Sequence, residues 1–443
     1  MSQGFFEQLL IILCCAVVAT SIFRRIKLPP LLAYLAVGAL VGPFSLGIID
    51  NTESIHLLSE LGVVFLLFML GLEFSVSRMF AMRKAVFGLG SLQILSSATI
   101  LILLSHFVFS LSWPAAIIIG LALSLSSTAF VLQILTQKKF LNTDLGKSSV
   151  AILLMQDLAV VPLLALIPLL SEQNSASQSL GFAVLQSLLI LTVIIIVGRY
   201  LLNPILHKVA KSATPEIFTT TAVLIVLGTA YLTEHAGLSM AMGAFLAGLL
   251  ISESVFRHQI RAEIQPFRGL LLGAFFVAMG MSLNIELFLQ MPMTILSLVC
   301  LVVLIKVLCL MPLVKLFGRK WSQSAAVALL LGQSGEFALV LFTLAFGANI
   351  LSEYQFNVVM LITLFSMLIT PLLAFAAFKF NARQSAINVE NETLPQTDIV
   401  IAGFGRVGRT VGRLLTSAEI PFIALDNCAD IVNKHKDRHP VYF

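Results

Sequence analysis

One aspartate lies in the middle of a long apolar stretch, and it is the strongest candidate for chemistry in this chain. Asp157 stands in the segment Leu153-Leu-Met-Gln-Asp-Leu-Ala-Val-Val-Pro-Leu163, where Pro162 weakens a helix just beyond it. Inserting a charge into an apolar span costs about 3 kcal/mol or more, so a functional role is the first expectation. A carboxylate there holds either a monovalent cation or a proton, and competition between these loads is sufficient for an antiporter. The alternative is a structural aspartate, neutral or salt-bridged.

Few other ionisable residues lie inside apolar segments. Lys306 is the only basic residue at the centre of one, and we predict that it is the counter-ion of a carboxylate, although a purely structural pair is the alternative. Glu336 either pairs with Lys306 or assists the ion path. Glu60 and Glu73 stand near the ends of their segment, where we expect water or a lysine. The histidines lack the spacing of metal ligands, so no metal site beyond the transported ion is predicted.

Two apolar segments are interrupted by small polar residues about 210 positions apart. They are Leu121-Ala-Leu-Ser-Leu-Ser-Ser-Thr-Ala-Phe130 and Leu331-Gly-Gln-Ser-Gly-Glu-Phe-Ala-Leu339. Interruptions at corresponding positions of two halves indicate the substrate site of an inverted-repeat transporter, because broken helices direct their ends at the bilayer midplane. Polar side chains there replace lost backbone hydrogen bonds, and the candidates are Ser126, Ser127, Thr128 and Gln333. The alternative is close packing of continuous helices.

The composition requires a membrane protein. Hydrophobic residues make up 58% of the 443 residues and charged residues 11%, and the mean hydropathy is +1.01. We count thirteen apolar stretches long enough to span a bilayer as helices, so the predicted fold is an all-α polytopic membrane protein with two discontinuous crossing helices. The predicted centres are Ala16, Leu35, Phe65, Ser96, Ala122, Asp157, Leu191, Ile225, Gly243, Phe275, Leu301, Leu339 and Met367.

Basic residues occur in every second predicted connection, which sets the orientation. The alternate connections contain no Lys or Arg, so the positive-inside rule places the N-terminus outside and the C-terminus in the cytoplasm. Part of the net charge of +5 thus reflects topology, and no nucleic-acid partner is predicted.

The first segment lacks a basic n-region, so we expect it to remain as a spanning helix. The five cysteines predict neither a disulfide nor a metal framework.

Several motifs together resemble the monovalent cation:proton antiporters of the second type, and within them the Kef-type, glutathione-gated potassium efflux systems. The motifs are Gln156-Asp157, Gly332-Gln-Ser-Gly-Glu-Phe337, Gly243-Ala-Phe-Leu-Ala-Gly248 with Glu253, and Pro266-Phe-Arg-Gly-Leu-Leu-Leu-Gly273 running into Met281-Ser-Leu-Asn284. This resemblance covers essentially the whole chain.

The resemblance implies roles for the candidate residues. Asp157 would be the exchanging carboxylate, Gln156 a neutral neighbour or ligand, and the Ser/Thr cluster a source of further oxygens. A single carboxylate beside a neutral Gln favours one cation for one proton, and Glu336 leaves that stoichiometry open. The family further implies an inner-membrane homodimer, with glutathione and an ancillary flavoprotein subunit as partners of the full-length protein.

The C-terminal residues carry a glycine fingerprint. Residues 1–380 form the predicted transport domain, 381–396 a polar linker, and 397–443 a strand, a Gly-X-Gly-X-X-Gly turn, a helix and a second strand that ends in an acid. In this arrangement Asp426 would bind ribose hydroxyls, and the phosphates would lie at the turn. The turn residues are Gly403, Gly405, Arg406 and Gly408.

This tail resembles the KTN/RCK regulatory domain, which implies AMP or NAD(H) as its nucleotide, whereas transport itself requires no cofactor. The chain ends inside the expected third strand. We therefore expect truncation within that domain, an incomplete nucleotide site, and transport without nucleotide or glutathione control.

The segment from Glu253 to Gly269 is predicted to be a long cytoplasmic loop. In Kef-type proteins the matching loop gates transport together with the KTN domain and glutathione, whereas the alternative is an ordinary basic inside loop. The charged residues that suit a regulatory contact are Arg257, His258, Glu263 and Arg268.

The leading hypothesis is a potassium:proton antiporter, not an enzyme. Sodium:proton exchange is the alternative within transport, and a potassium channel-like efflux protein is the alternative outside it. A channel would show a selectivity-filter sequence, and none is present. A membrane-anchored nicotinamide dehydrogenase would need a complete Rossmann domain and a substrate domain, for which the chain is too short.

Overall fold

The computed structural model describes most of the chain. The described residues are 3–25, 30–49, 53–73, 79–80, 82–141, 143–171, 200, 204, 206, 208–209, 214–235, 239–385, 397–426, 432, 435 and 439–442.

Helices make up nearly all of the described membrane domain. Their bounds are α1 Gln3–Arg25, α2 Pro30–Val41, α3 Glu53–Glu73, α4 Lys84–Phe107, α5 Trp113–Ser124, α6 Thr128–Gln137, α7 Asp144–Leu170, α8 Pro215–His235, α9 Met240–Ser252, α10 Arg257–Met281, α11 Ile285–Gln290, α12 Pro292–Leu316, α13 Trp321–Leu330, α14 Glu336–Gly347, α15 Glu353–Leu368 and α16 Thr370–Ser385. The first seven residues of α4 are π-helical.

The architecture is that of a polytopic helical membrane protein, but the predicted number of thirteen spans is not confirmed. Six described stretches are long and apolar enough to cross a membrane when α5 and α6 together count as one of them, or up to seven if the bent pair α15 and α16 also counts as one span. The predicted centre at Leu191 lies outside the described residues. The other predicted centres all lie within described helices, several of which are too short to span on their own.

The helices pack into two bundles. The first contains α1, α2, α3, α8, α9 and α10, and the second contains α4 to α7 with α12 to α16. Close backbone approach holds the first bundle together: a Cβ on Gly248 of α9 would overlap the backbone carbonyl of Phe68 in α3, and a Cβ on Gly71 would overlap that of Phe245. Each half of the chain contributes helices to both bundles.

One predicted loop is helical. The segment from Glu253 to Gly269 was expected to be a loop because of its charges, but α10 begins at Arg257 and includes most of it. The reason is its amphipathic pattern: Ile260 and Ile264 lie one turn apart and are fully buried against the first bundle, whereas Arg257, His258 and Arg261 are exposed.

The C-terminal tail forms a small parallel sheet. Its strands are β1 Val400–Ala402, β2 Ile423–Leu425 and β3 Val441–Tyr442, with β2 in the middle and α17 Arg406–Ser417 between β1 and β2. Gly403 has a φ of +93°, which favours glycine. A Cβ on Gly408 would overlap the carbonyl of Gly403, so the helix approaches the turn closely.

Candidate functional site

The two predicted interruptions are breaks between helices, and they contact each other. Residues 125–127 separate α5 from α6, and residues 331–335 separate α13 from α14. The Ser126 hydroxyl donates to the Leu331 carbonyl at 2.7 Å, and the Ser127 backbone N–H donates to Gln333 Oε1 at 3.1 Å. A Cβ on Gly335 would lie 2.6 Å from the carbonyl carbon of Ser126, so only glycine permits this approach. The prediction of two broken helices is confirmed, and the alternative of continuous helices is wrong.

Lys306 lies at this crossing and is fully buried. Its Nζ donates to the Leu125 carbonyl at 2.8 Å, to the Gln333 carbonyl at 2.6 Å and to the Ser126 hydroxyl at 3.1 Å. An ammonium group has three protons, and these three bonds use them all. No ion pair joins Lys306 to a carboxylate in the described part of the chain. The predicted role as a counter-ion is therefore wrong.

The helix dipoles explain this position of Lys306. The backbone carbonyls of Leu125 and Gln333 follow the C-terminal ends of α5 and α13, where unpaired carbonyls carry partial negative charge. A buried ammonium between two such ends satisfies both and offsets their charge. Lys306 thereby stabilises the crossing of the two breaks.

The carboxylates lie at the opposite, positive helix ends. Thr128 is the first residue of α6, and its hydroxyl donates to Asp157 Oδ1 at 2.9 Å. Glu336 is the first residue of α14, and its Oε1 accepts from the Ala129 backbone N–H at 3.4 Å. Both acids are buried, at 6% and 5% exposure. The field of the two N-terminal helix ends favours negative charge here, which compensates part of the cost of burying two acids.

A cavity of about 210 Å³ reaches these acids. It lies between the bundles, since α3 and α10 of the first bundle and α6, α7 and α14 of the second bundle form its wall. Glu336 Oε2 is buried and accepts no hydrogen bond from the described residues. Such a site can hold a proton or a cation, because an ionised carboxylate with an unpaired oxygen attracts either. The polar residues that line it are Asp157, Glu336, Thr128, Glu73 and Arg268.

The other predicted site residues hold the breaks in place and do not line this cavity. Gln156 Oε1 accepts from the Ser126 backbone N–H at 2.9 Å, so this side chain replaces a backbone bond that the break removes. The Ser127 hydroxyl caps α6 by accepting from the Phe130 N–H at 3.3 Å. Within the predicted Ser/Thr cluster, only Thr128 offers an oxygen to the cavity.

One residue of this network was missed. Gln93 in α4 is fully buried, its Oε1 accepts from Gln156 Nε2 at 2.7 Å, and its Nε2 donates to the Ser124 carbonyl at 3.1 Å. An amide in the middle of an apolar segment is a signal that the sequence does contain. Gln93 thus orients Gln156, whose Oε1 accepts the hydrogen bond from the Ser126 N–H in the break.

Glu73 does not face a lysine. Its Oε1 accepts from Arg261 Nη2 at 2.8 Å and from Arg268 Nη1 at 3.5 Å.

Glu60 is exposed, and it lines a second cavity of about 450 Å³ with Glu234, near the N-terminal end of α3. The described residues contain no group of three or more acids, histidines and cysteines placed to hold a metal ion.

In the segment predicted to be regulatory, Arg257, His258 and Glu263 lie on α10 and not in the ion cavity. Arg257 Nη1 donates to the Ser252 carbonyl at 3.4 Å, and Thr219 donates to Glu263. In the tail, Asp426 Oδ2 accepts from the Phe404 N–H at 2.6 Å, at the glycine turn.

Comparison with known proteins places the chain. The family model described as the transmembrane sodium/hydrogen exchanger matches residues 9–379. The chain belongs to the sodium/hydrogen exchanger family. It is 43% and 41% identical to the proteins named K(+) efflux antiporter 1, chloroplastic, and K(+) efflux antiporter 2, chloroplastic, of Arabidopsis thaliana, over 98% of this chain. The predicted resemblance to Kef-type cation:proton antiporters is thereby confirmed. The chain spans 38% of the length of these relatives.

Solved structures share the fold. Two structures of the sodium proton antiporter MjNhaP1 from Methanocaldococcus jannaschii superpose with TM-scores of 0.65 and 0.62, at 16% and 18% identity. The first covers 85% of this chain and 98% of its own, and the second covers 89% and 100%. At this identity the likeness concerns the fold alone.

Proposed function

We propose that this chain exchanges a monovalent cation, K+, for H+ at a site built from Asp157 and Glu336. The observation that carries the proposal is the placement of two buried carboxylates at the N-terminal ends of two half-helices, facing one cavity between two bundles. Thr128 orients Asp157, and Lys306 keeps the crossing intact from the other side.

Exchange follows from competition for the same carboxylate. Protonated Asp157 is neutral and cannot hold a cation, whereas ionised Asp157 binds either a proton or a cation, so each load displaces the other. If only Asp157 exchanges, one cation moves for one proton and no net charge is transferred. Glu336, with a free oxygen in the same cavity, is the residue that would change this ratio. Relative movement of the bundles would open the cavity alternately to the two sides.

The choice of K+ rests on the relatives whose names state potassium efflux. Sodium:proton exchange has weaker support, since the antiporters named for sodium are similar in fold at 16% and 18% identity. We also propose that the chain has thirteen spans in inverted repeats, with its N-terminus outside and domain boundaries at residues 380 and 397. We further propose that it forms a homodimer in an inner membrane. Control by a nucleotide, glutathione and a flavoprotein subunit is proposed for the full-length protein alone, on the family resemblance.

A proteoliposome assay tests the function. Purified protein is reconstituted with a trapped pH dye, and K+, Na+ or Rb+ is added outside at equal ionic strength. We expect K+ and Rb+ to drive proton movement that Asp157→Asn abolishes. Equal or greater rates with Na+ would favour sodium exchange. Cation-driven proton movement that persists in Asp157→Asn would overturn the site.

A further inference from the structure

Arg268 brings a positive charge into the wall of the ion cavity. It lines the same cavity as Asp157 and Glu336, and its side chain is 32% exposed. Lys306 faces the opposite helix ends, so Arg268 is the basic side chain among the described residues that line this cavity. A guanidinium in a cavity with two carboxylates competes electrostatically with any cation that binds them.

Glu73 holds Arg268 weakly. The distance from Arg268 Nη1 to Glu73 Oε1 is 3.5 Å, whereas Arg261 Nη2 lies 2.8 Å from the same oxygen. Two arginines thus share one carboxylate oxygen, and Arg261 has the better geometry. The contact that keeps Arg268 at the wall is the weaker of the two.

The helix that carries Arg268 is weakened on both sides of it. Pro266 lies inside α10 and cannot donate the helical hydrogen bond to the preceding turn. Gly269 follows, and a Cβ there would meet nothing within 4 Å, so packing does not require glycine at this position. Pro and Gly within four residues make this part of α10 the place where the helix bends most easily.

We infer that Arg268 is a tethered cation of the ion cavity, which Glu73 holds at the wall when the site is loaded and which turns toward Asp157 and Glu336 when the site is empty. The inference rests on the proposed function. Arg268 is here a positioning residue that sets the apparent cation affinity.

Three variants separate this role from a structural ion pair. Arg268→Gln removes the competitor and is expected to lower the apparent KM for K+ about tenfold. Glu73→Gln releases Arg268 and is expected to raise the KM. The double variant is expected to behave as Arg268→Gln alone. A purely structural pair predicts instead that both single variants change the KM in the same direction.

Arg261→Gln is the matched control. This variant also removes one positive charge from α10 and one contact from Glu73, but Arg261 does not line the cavity. Its removal leaves Glu73 to Arg268 alone, so we expect the KM to decrease slightly and to stay within about twofold of the original value. A tenfold decrease in Arg261→Gln would show that net charge near the cavity, and not the position of Arg268, sets the affinity.

A second measurement does not depend on transport. Melting temperatures in potassium-free and sodium-free buffer are measured for Arg268→Gln, Glu336→Gln and their double variant. Non-additive shifts are expected if Arg268 contacts the empty site, and additive shifts would overturn the inference. A protein that shows non-additive shifts but moves no cation would instead reject the proposed function.

Discussion

Replacement of Lys306 by methionine tests the electrostatics of the crossing. The substitution keeps the length and shape of the side chain but removes three hydrogen bonds, to the carbonyls of Leu125 and Gln333 and to the hydroxyl of Ser126. Hydrogen bonds to a charged group contribute about 1.5–3 kcal/mol each. The cost of burying an ammonium, several kcal/mol, offsets part of that sum. We therefore expect a net destabilisation of about 3 kcal/mol.

The assay is thermal unfolding of the detergent-solubilised protein. For a chain larger than 250 residues, a loss of about 3 kcal/mol corresponds to a decrease in Tm of about 5 °C. Lys306→Gln retains two donors and is expected to lose about half as much. Leu304→Ala, an exposed site on the same helix, is the control for changes in α12 and is expected to shift the Tm by less than about 1 °C.

The refuting result concerns the carboxylates. If Lys306 neutralised an acid, then Asp157→Asn or Glu336→Gln would restore the Tm of Lys306→Met, because no unpaired charge would remain. We expect no such restoration, because the Lys306 ammonium donates to the carbonyls of Leu125 and Gln333 and not to an acid. A restored Tm would show that an ion pair forms at this position and that our assignment is wrong.

Three further predictions concern the site and its supports. Asp157→Asn should abolish cation-driven proton movement in vesicles and leave the protein folded, whereas Asp144→Asn at the exposed start of the same helix should retain it. Gly335→Ala should destabilise the protein by about 2 kcal/mol and reduce transport, because its methyl group overlaps the other break; Gly347→Ala, which meets no atom, should leave Tm unchanged. Thr128→Val should raise the apparent KM for K+ about fivefold at unchanged Tm, and an unchanged KM would show that this hydroxyl does not orient the carboxylate.

Some of the site was predictable from local sequence. The two breaks were found because small polar residues interrupt apolar runs, and Asp157 and Glu336 were found because acids are rare in such runs. Gln93 is likewise a polar residue in an apolar run, but it was not predicted to be part of the site. An isolated amide in one helix does not show which residue of another helix it will bond. Its role became visible only with Gln156 beside it.

Charge alone misled the assignment of the segment that precedes Gly269. Its many charged residues suggested a loop, although Ile260 and Ile264 at helical spacing already indicated a buried face. The helix positions Arg268 in the ion cavity, which a loop interpretation does not suggest. That placement depends on α3, a helix almost 200 positions earlier in the chain.

The sequence by itself determined that this is a polytopic membrane protein with two interrupted helices and a few buried acids, because hydropathy and the cost of burying charge are properties of local composition. Only the tertiary structure decided which groups those charges meet. Lys306 donates hydrogen bonds to backbone carbonyls. Every residue has a backbone carbonyl, so the residue types in a sequence do not show which carbonyls will accept these bonds. Asp157 and Glu336 share a cavity because two breaks from distant parts of the chain cross. Such contacts arise from packing between helices, and packing is a property of the whole fold.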